Sequence, residues 1–482
     1  MNNSEVTIEK ILKFEQEYKL KTRTVLGINI WECRRTRNLN EIIETTKNQQ
    51  KMCDVEKIKK IKIFSIKNFI TKKDYNKDIL LITDARRVKN NGKYESIYTD
   101  EIERILDNKY SCLTLEEPSW TSYTQIPESH QYNCTTKNIK YVDLYEILAI
   151  IRCWFVKTFC YKKMRLVEKE VERIIKEVNN YFNIDFSYTK SNYIDNILYF
   201  YTMKKTYSRL IDKIKPKCVC FYYRDFPFKI LILNILKEKN IPSIEMQHGF
   251  FTEDEPIEKK GDVHNHWDCI PEYLFAYGKL QTEVSNLAYE KDKIKYIGNL
   301  FLEKKVKENI TSDISEDIPG KYILVISQST MGNYISNIIA NLADELLDTE
   351  YSIVYKYHPN EVSREYKCLD KSNIIQIRDN SEEIYKYQRN AIAQIGVSST
   401  AIFEGLSFDL PTIILKNPEN FIGVEKILRK FKRGIYFVED EKQICKYLKA
   451  GLEKPIKEDI CSLWQQNSTD NLKREIENII GR

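Results

Sequence analysis

Apolar and polar positions alternate in two distinct rhythms along this chain. Residues 26–32 and the run ILLIT at 79–83 read as early strands, whereas 141–182 carries a long helical spacing. From residue 217 the alternation sharpens: KCVCFYY reads as a strand, FKILILNILKEKN as a helix, and IPSIEM as a strand ending at Gln247. YLFAYG (273–278) and IKYIGN (294–299) follow with a helix between them. KYILVIS (321–327) opens a second series: a helix at about 333–347, SIVYKYHPN (352–360), NIIQIRD (373–379), a helix, AIAQIGVSST (391–400), another helix and PTIILK (411–416). Short continuous apolar runs separated by helical patterns mark parallel strands buried on both faces. Two such series meeting near residue 305 predict an α/β chain of two doubly wound domains.

One stretch fits neither rhythm. LYEILAIIRCWFVKTFCYKKMR (144–165) is apolar, but Arg152 and Lys157 interrupt it, so it falls short of a spanning helix. Its pattern favours a core helix. The alternative is a helix lying in a membrane interface, with Trp154 and Phe155 inserted and Lys162, Lys163 and Arg165 near anionic headgroups.

Composition narrows the function classes. A length of 482 residues with 42% hydrophobic and 30% charged content implies two or three globular domains. The 76 Lys and Arg against 70 Asp and Glu leave a net +6, too diffuse for a dedicated nucleic-acid binder but compatible with nucleotides, phosphates and an anionic membrane surface. Residues 203–239 concentrate ten basic against three acidic residues, a pattern read first as a solvated helix face. Twelve cysteines without a Cys-x-x-Cys pair, and an N-terminus without an apolar leader core, point to reduced thiols and a cytoplasmic chain.

With only five histidines in the chain, their positions are informative. Ligands of open parallel sheets bind at the carboxyl ends of strands. Three unusual motifs fall there: Gln247-His248-Gly249, His358-Pro359-Asn360 and Ser398-Ser399-Thr400. Each has a purely structural reading, as a glycine turn, a proline stop and a helix cap. Together they offer a chemistry. A helix starting at Ser398-Ser399-Thr400 presents backbone N–H groups and hydroxyls to an anion. His358, expected on a neighbouring strand, can donate to a phosphate oxygen, and Glu404 can accept from ribose hydroxyls. His248 would face this site as a general base. Gln247, Gly249, His264, His266 and Asn360 are candidate contacts for acceptor or donor.

These motifs carry a resemblance. QHG, YHPN and GVSSTAIFEGLSFDLPTII are similar to segments of bacterial GT-B glycosyltransferases of surface polysaccharide synthesis: capsule polymerases, sialyl- and Kdo-transferases, and the CDP-glycerol glycerophosphotransferases. The resemblance spans about residues 240–420. It implies a GT-B fold, two Rossmann-like domains facing a central cleft, with 1–304 on the acceptor side, 305–460 holding the nucleotide donor, and 461–482 a helix packing back on the first domain. It implies His248 as base, His358, Ser398, Ser399 and Thr400 on the donor phosphates, and Glu404 on the ribose. The partners would be a nucleotide-activated sugar and a glycan or lipid-linked glycan. No metal or other cofactor is required, since histidine, serine and helix N-terminus can stabilise a leaving phosphate. The glycerophosphotransferase pattern has acidic residues where Gly396 stands and an aspartate after the serine pair where Glu404 stands, which favours an activated sugar over a polyol phosphate.

Other classes compete. DVHNHWDC places Asp262, His264, His266 and Asp268 at every second position, so in an extended segment they would share a face and could ligate a metal, as in a metallohydrolase. An NDP-sugar 2-epimerase would share the two-domain architecture. A non-catalytic polysaccharide assembly protein would bind without turnover.

Overall fold

The computed structural model describes residues 8–46, 69–84, 88–90, 92–117, 138–222, 226–251, 267–285, 287–308, 318, 320–361, 363–378, 384–416 and 422–481. Its N-terminal half is a seven-stranded sheet of β1 (Ile79–Asp84), β2 (Cys112–Glu117), β3 (Ile139–Tyr141), β4 (Cys218–Tyr222), β5 (Ser243–Met246), β6 (Tyr273–Ala276) and β7 (Ile294–Tyr296). All neighbours are parallel, in the order β7-β6-β5-β4-β1-β2-β3. The second half holds β8 (Lys321–Ile326), β9 (Tyr351–Lys356), β10 (Ile374–Ile377), β11 (Ala393–Gly396), β12 (Thr412–Leu415) and β13 (Ile435–Val438), again all parallel, in the order β10-β9-β8-β11-β12-β13. Each half therefore winds outward in both directions from its first strand, the doubly wound order 3-2-1-4-5-6. The chain has the GT-B architecture, two Rossmann-like domains.

Strand period 2 divides each core in two. Leu80 and Ile82 of β1 pack with Phe14, Val171, Ile197 and Leu231 on one face of the first sheet. Ile79 and Leu81 face the other side, against Ile102 and Leu106 of helix Asp100–Leu106 and Leu472, Ile476 and Ile479 of the final helix Ser468–Ile480. Fully burying each such side chain contributes roughly 1.5–3 kcal/mol. Cys218 and Cys220 lie on this same buried face, so they are core residues.

The final helix reaches the first sheet by a tight crossover. The segment around Leu463–Gln465 passes the carboxyl ends of β6 and β7, where Gln465 N–H donates to the Tyr277 carbonyl at 2.7 Å. Gly278 and Gly298 make this possible: a Cβ at either would collide with the carbonyl oxygen of Leu463 or Gln465.

Two sequence expectations change. Residues 26–32 form no strand of the seven-stranded sheet: Leu26 and Gly27 take φ of 53° and 76°, closing a turn between the two-residue antiparallel strands Thr24–Val25 and Ile28–Asn29. The 144–165 run is two helices, Asp143–Phe159 and Tyr161–Phe182, separated by Cys160, and much of its apolar surface is exposed rather than core. The basic stretch 203–239 keeps Lys205, Arg209, Lys213, Lys215 and Lys237 exposed, as a solvated face does, while Lys217 pairs with Asp78 and Lys229 is buried against Glu117 at 3.3 Å.

Gly278 has φ −168°, which any residue adopts, so Gly278→Ala tests steric fit alone. It should cost about 1–3 kcal/mol in urea denaturation, as overpacking does, and should speed proteolysis within 462–467.

Candidate functional site

The second sheet aligns its strand ends. Ile326 of β8 pairs with Lys356 of β9, and Val325 pairs with Ile395 of β11. Continuing both registers past the last paired residues puts Gln328, His358 and Ser398 at one level. The Ser398 hydroxyl donates to Gln328 Oε1 at 3.1 Å, in keeping with that level. The gap between β8 and β11 is the point where the winding reverses, the usual ligand crevice of such sheets. His358 and Ser398 are not on adjacent strands as expected. β8 intervenes, so their backbones stand roughly two strand spacings, about 10 Å, apart, with Gln328 between them. Gln328 was legible as the polar residue ending KYILVISQ.

Each motif has a support that the sequence reading missed. Glu361 is fully buried and accepts from the His358 backbone N–H at 3.2 Å and the Tyr366 hydroxyl at 2.7 Å, which holds the His-Pro turn. Gly332, opening helix Gly332–Glu345, leaves room for that carboxylate and the Tyr366 hydroxyl. Pro359 and Asn360 begin a single 3-10 turn. Helix Thr400–Gly405 follows Ser399, which sits at the N-cap without a side-chain capping bond. At six residues this helix is short, so its macrodipole is small. Gln394 fixes it, donating to the Ile402 carbonyl at 2.7 Å and Thr412 Oγ1 at 2.9 Å. A Cβ at Gly396 would press on the Ile402 side chain, 2.5 Å from its Cδ1, so a larger residue there requires that side chain to move.

The His248 turn leaves β5 at the carboxyl end of the first sheet. Gln247 does not face a ligand: its buried amide accepts from Tyr277 N–H at 2.6 Å and donates to the Gly249 carbonyl at 2.8 Å and Gln281 Oε1 at 2.6 Å. It builds the turn. His248 packs edge-on against Tyr222, with ring centroids 5.9 Å apart, and Tyr98 stacks on the other ring at 3.5 Å.

The two motifs meet across the cleft. Phe250 stacks on Phe403 with centroids 3.4 Å apart, and a Cβ on Gly249 would lie 3.9 Å from Thr400 Oγ1. Trp464 Nε1 donates to the Phe403 carbonyl at 3.2 Å, tying the crossover to the same helix. Burial chiefly raises the pKa of the Tyr277 hydroxyl, with Tyr98 and Glu404 adding to the rise. Burial pushes the Glu404 carboxyl up to about 7, partly offset by a hydrogen bond with Tyr385. His264, His266 and Asp262 lie outside the described residues. Their segment ends at buried Trp267, under Arg35 at 5.0 Å, with Cys269 N–H donating to Glu32 at 2.6 Å. Among the described residues no group of three or more His, Cys, Asp or Glu could hold a metal ion.

No family model and no curated protein matches the chain. Among solved structures it is similar to UDP-GlcNAc 2-epimerase from Methanocaldococcus jannaschii (12% identity, 83% of this chain and 99% of that one, TM-score 0.49). It is also similar to the Neisseria meningitidis UDP-GlcNAc 2-epimerase bound to UDP-GlcNAc (13%, 84% and 100%, TM-score 0.46) and to the glycotransferase of kitacinnamycin (9%, 84% and 95%, TM-score 0.43). At these identities and scores the similarities assign no activity to this chain.

Glu404 gives a pH signature. Its carboxyl moves from an ordinary 4.5 to about 7 in the folded chain, so the folded state holds the proton more tightly. Below about 4.5 both states are protonated and nothing is lost; from there to about 7 the unfolded carboxyl ionises first and stability falls, then levels off. Glu404→Gln should remove this fall, leaving the variant more stable by on the order of 1–2 kcal/mol near pH 8 and equal to the parent near pH 4 in urea titrations.

Proposed function

We propose that the chain is a glycosyltransferase that moves a sugar from a nucleotide-activated donor to a surface-glycan acceptor without a metal. The observation that carries this reading is the apposition of the His248-Gly249 turn of one domain with Thr400, beside Ser398 and Ser399, in the other. In this reading His248, as general base for an acceptor hydroxyl, works opposite a cluster of hydroxyl and imidazole donors suited to a phosphate.

In this reading the donor phosphate lies over the β8–β11 gap, taking hydrogen bonds from His358, Ser398, Ser399 and Thr400, with the ribose near Glu404. An acceptor hydroxyl gives its proton to His248 as its oxygen bonds to the anomeric carbon. The bond from that carbon to the phosphate oxygen breaks, and the nucleotide leaves with the electron pair. Tyr98, part exposed and backed by buried Tyr222, would be the aromatic surface near the base for the C–H face of a sugar. Gly396, standing where the glycerophosphotransferase pattern is acidic, supports an activated sugar over a polyol phosphate.

A panel of CMP-, CDP-, UDP- and GDP-linked sugars, each with and without a glycan acceptor, tests the reading. Nucleotide release that requires acceptor is the expected result. A C2 epimer formed from the nucleotide sugar alone would replace it with the epimerase, and turnover in no arm would replace it with a binding protein.

His248→Ala should lower turnover by roughly 100-fold or more with little change in donor affinity. His358→Ala and Ser399→Ala should each weaken nucleotide binding by about tenfold, as loss of one charge-assisted hydrogen bond does. In calorimetry the double variant should lose less than the sum, since both groups act on one phosphate.

A further inference from the structure

Eleven large hydrophobic side chains stand exposed among the described residues, and seven of them fall between Ile150 and Leu166. Isolated exposed apolar residues are ordinary, but a cluster of this kind marks an interaction surface. On helix Asp143–Phe159, the exposed residues Ile150, Ile151, Trp154, Phe155 and Phe159 recur at helical spacing and form one stripe. Trp154 and Phe155 each make ring contacts with Phe159, at 5.8 and 5.1 Å. The opposite side holds the helix in place: Ala149 and Val156 are buried, and Arg152 donates to the Thr202 carbonyl and to Thr206 Oγ1 at 3.1 and 2.5 Å. The stripe is therefore the outer face of a well-seated helix.

After Cys160 the stripe passes to helix Tyr161–Phe182, where Tyr161 is 74% exposed and Leu166 54%. There it is interleaved with exposed Lys162, Arg165 and Lys169. Residues 147–167 contain five basic side chains and no acidic one. Of these Arg152 faces inward and Lys157 pairs with Asp195, but two copies of this face laid on each other would still set the exposed Lys162 and Arg165 of one against those of the other with no acidic residue in the stretch, which disfavours self-association. An apolar stripe of Ile, Trp and Phe flanked by Lys and Arg is the pattern of a helix lying in a lipid interface. Among the described residues no helix is long and apolar enough to cross a membrane.

We propose that the corner formed by helices Asp143–Phe159 and Tyr161–Phe182 docks on an anionic lipid bilayer, seating Trp154, Phe155 and Phe159 among the acyl chains and Lys162, Arg165 and Lys169 among the headgroups. This assignment is independent of the chemistry of the cleft.

The test is sedimentation of the full chain with phosphatidylcholine vesicles with and without phosphatidylglycerol, at low and high salt. Binding is expected only with the anionic lipid, weakening as added salt shortens the screening length below about 10 Å. Trp154→Asp with Phe155→Asp changes only exposed side chains and should abolish binding. Lys162→Glu with Arg165→Glu, a second variant that leaves the apolar stripe intact, should weaken binding at least tenfold. Failure of the parent chain to bind anionic vesicles at low salt overturns the proposal, as does equal binding by both variants. So does a dimer in analytical ultracentrifugation that the Trp154/Phe155 variant dissolves, which would give the face to a second copy.

Discussion

The crossover from the second domain back to the first is fixed by one close backbone contact. The crossover around Leu463–Gln465 lies so near the carboxyl ends of β6 and β7 that Gly278 and Gly298 have no room for a side chain. Around that contact the polar groups are used fully. Gln465 bonds the Tyr277 carbonyl, Gln281 reaches the Leu463 carbonyl at 3.3 Å, and Gln281 also receives the Gln247 amide that shapes the His248 turn. Buried amides stabilise only when their bonds are satisfied, so this chain of contacts is highly specific in geometry. Trp464 then carries it to Phe403, one residue from Glu404 and three from Thr400. Neither the His248 turn nor the Ser398–Thr400 turn can shift far without breaking bonds in this network.

The same economy supports the strand-end motifs. Glu361 is a buried carboxylate that orders the His358 turn, and Gln394 is a buried amide that seats helix Thr400–Gly405. Neither side chain is offered to solvent; each frees a neighbouring motif from having to hold itself in shape. Ser399 occupies an N-cap without spending its hydroxyl on the cap, unlike the ordinary use of serine at that position.

The architecture was legible from sequence because parallel strands buried on both faces leave an unmistakable mark: KYILVIS, AIAQIG and PTIILK are continuous apolar runs of strand length. Runs that depended on tertiary surroundings were not. Leu26-Gly27 looked like strand until the chain turned there, and 144–165 looked like core because hydropathy does not say what covers a helix. Within the site, the residues at strand ends stood out by their rarity, two histidines and a serine pair. Their supports did not. Gln247 looked like a ligand contact beside His248, yet its partners Tyr277 and Gln281 are 30 and 34 residues away in sequence. Glu361, Gly332 and the crossing at Gly278 are likewise long-range contacts that no local pattern encodes.

The corner proposed to dock on lipid and the cleft can be related through the helix that connects them to the sheet. Helix Lys190–Ile214 feeds the amino end of β4, so it runs opposite to the strands. Helix Asp143–Phe159 runs opposite to it in turn: Glu146 meets the Tyr207 hydroxyl at 3.0 Å, Arg152 meets Thr202 and Thr206, and Lys157 pairs with Asp195. Helix Asp143–Phe159 therefore climbs in the strand direction. Asp195 lies 19 residues before Ile214, roughly 28 Å along the helix, whereas the five residues of β4 rise only about 16 Å. Even with a helix tilted across the sheet, the level of Lys157 overshoots the carboxyl ends of the strands. The Trp154–Tyr161 corner thus projects on the side of the sheet where the His248 turn opens. A chain seated on a bilayer by this corner would hold its cleft near the membrane surface rather than on the far side of the molecule.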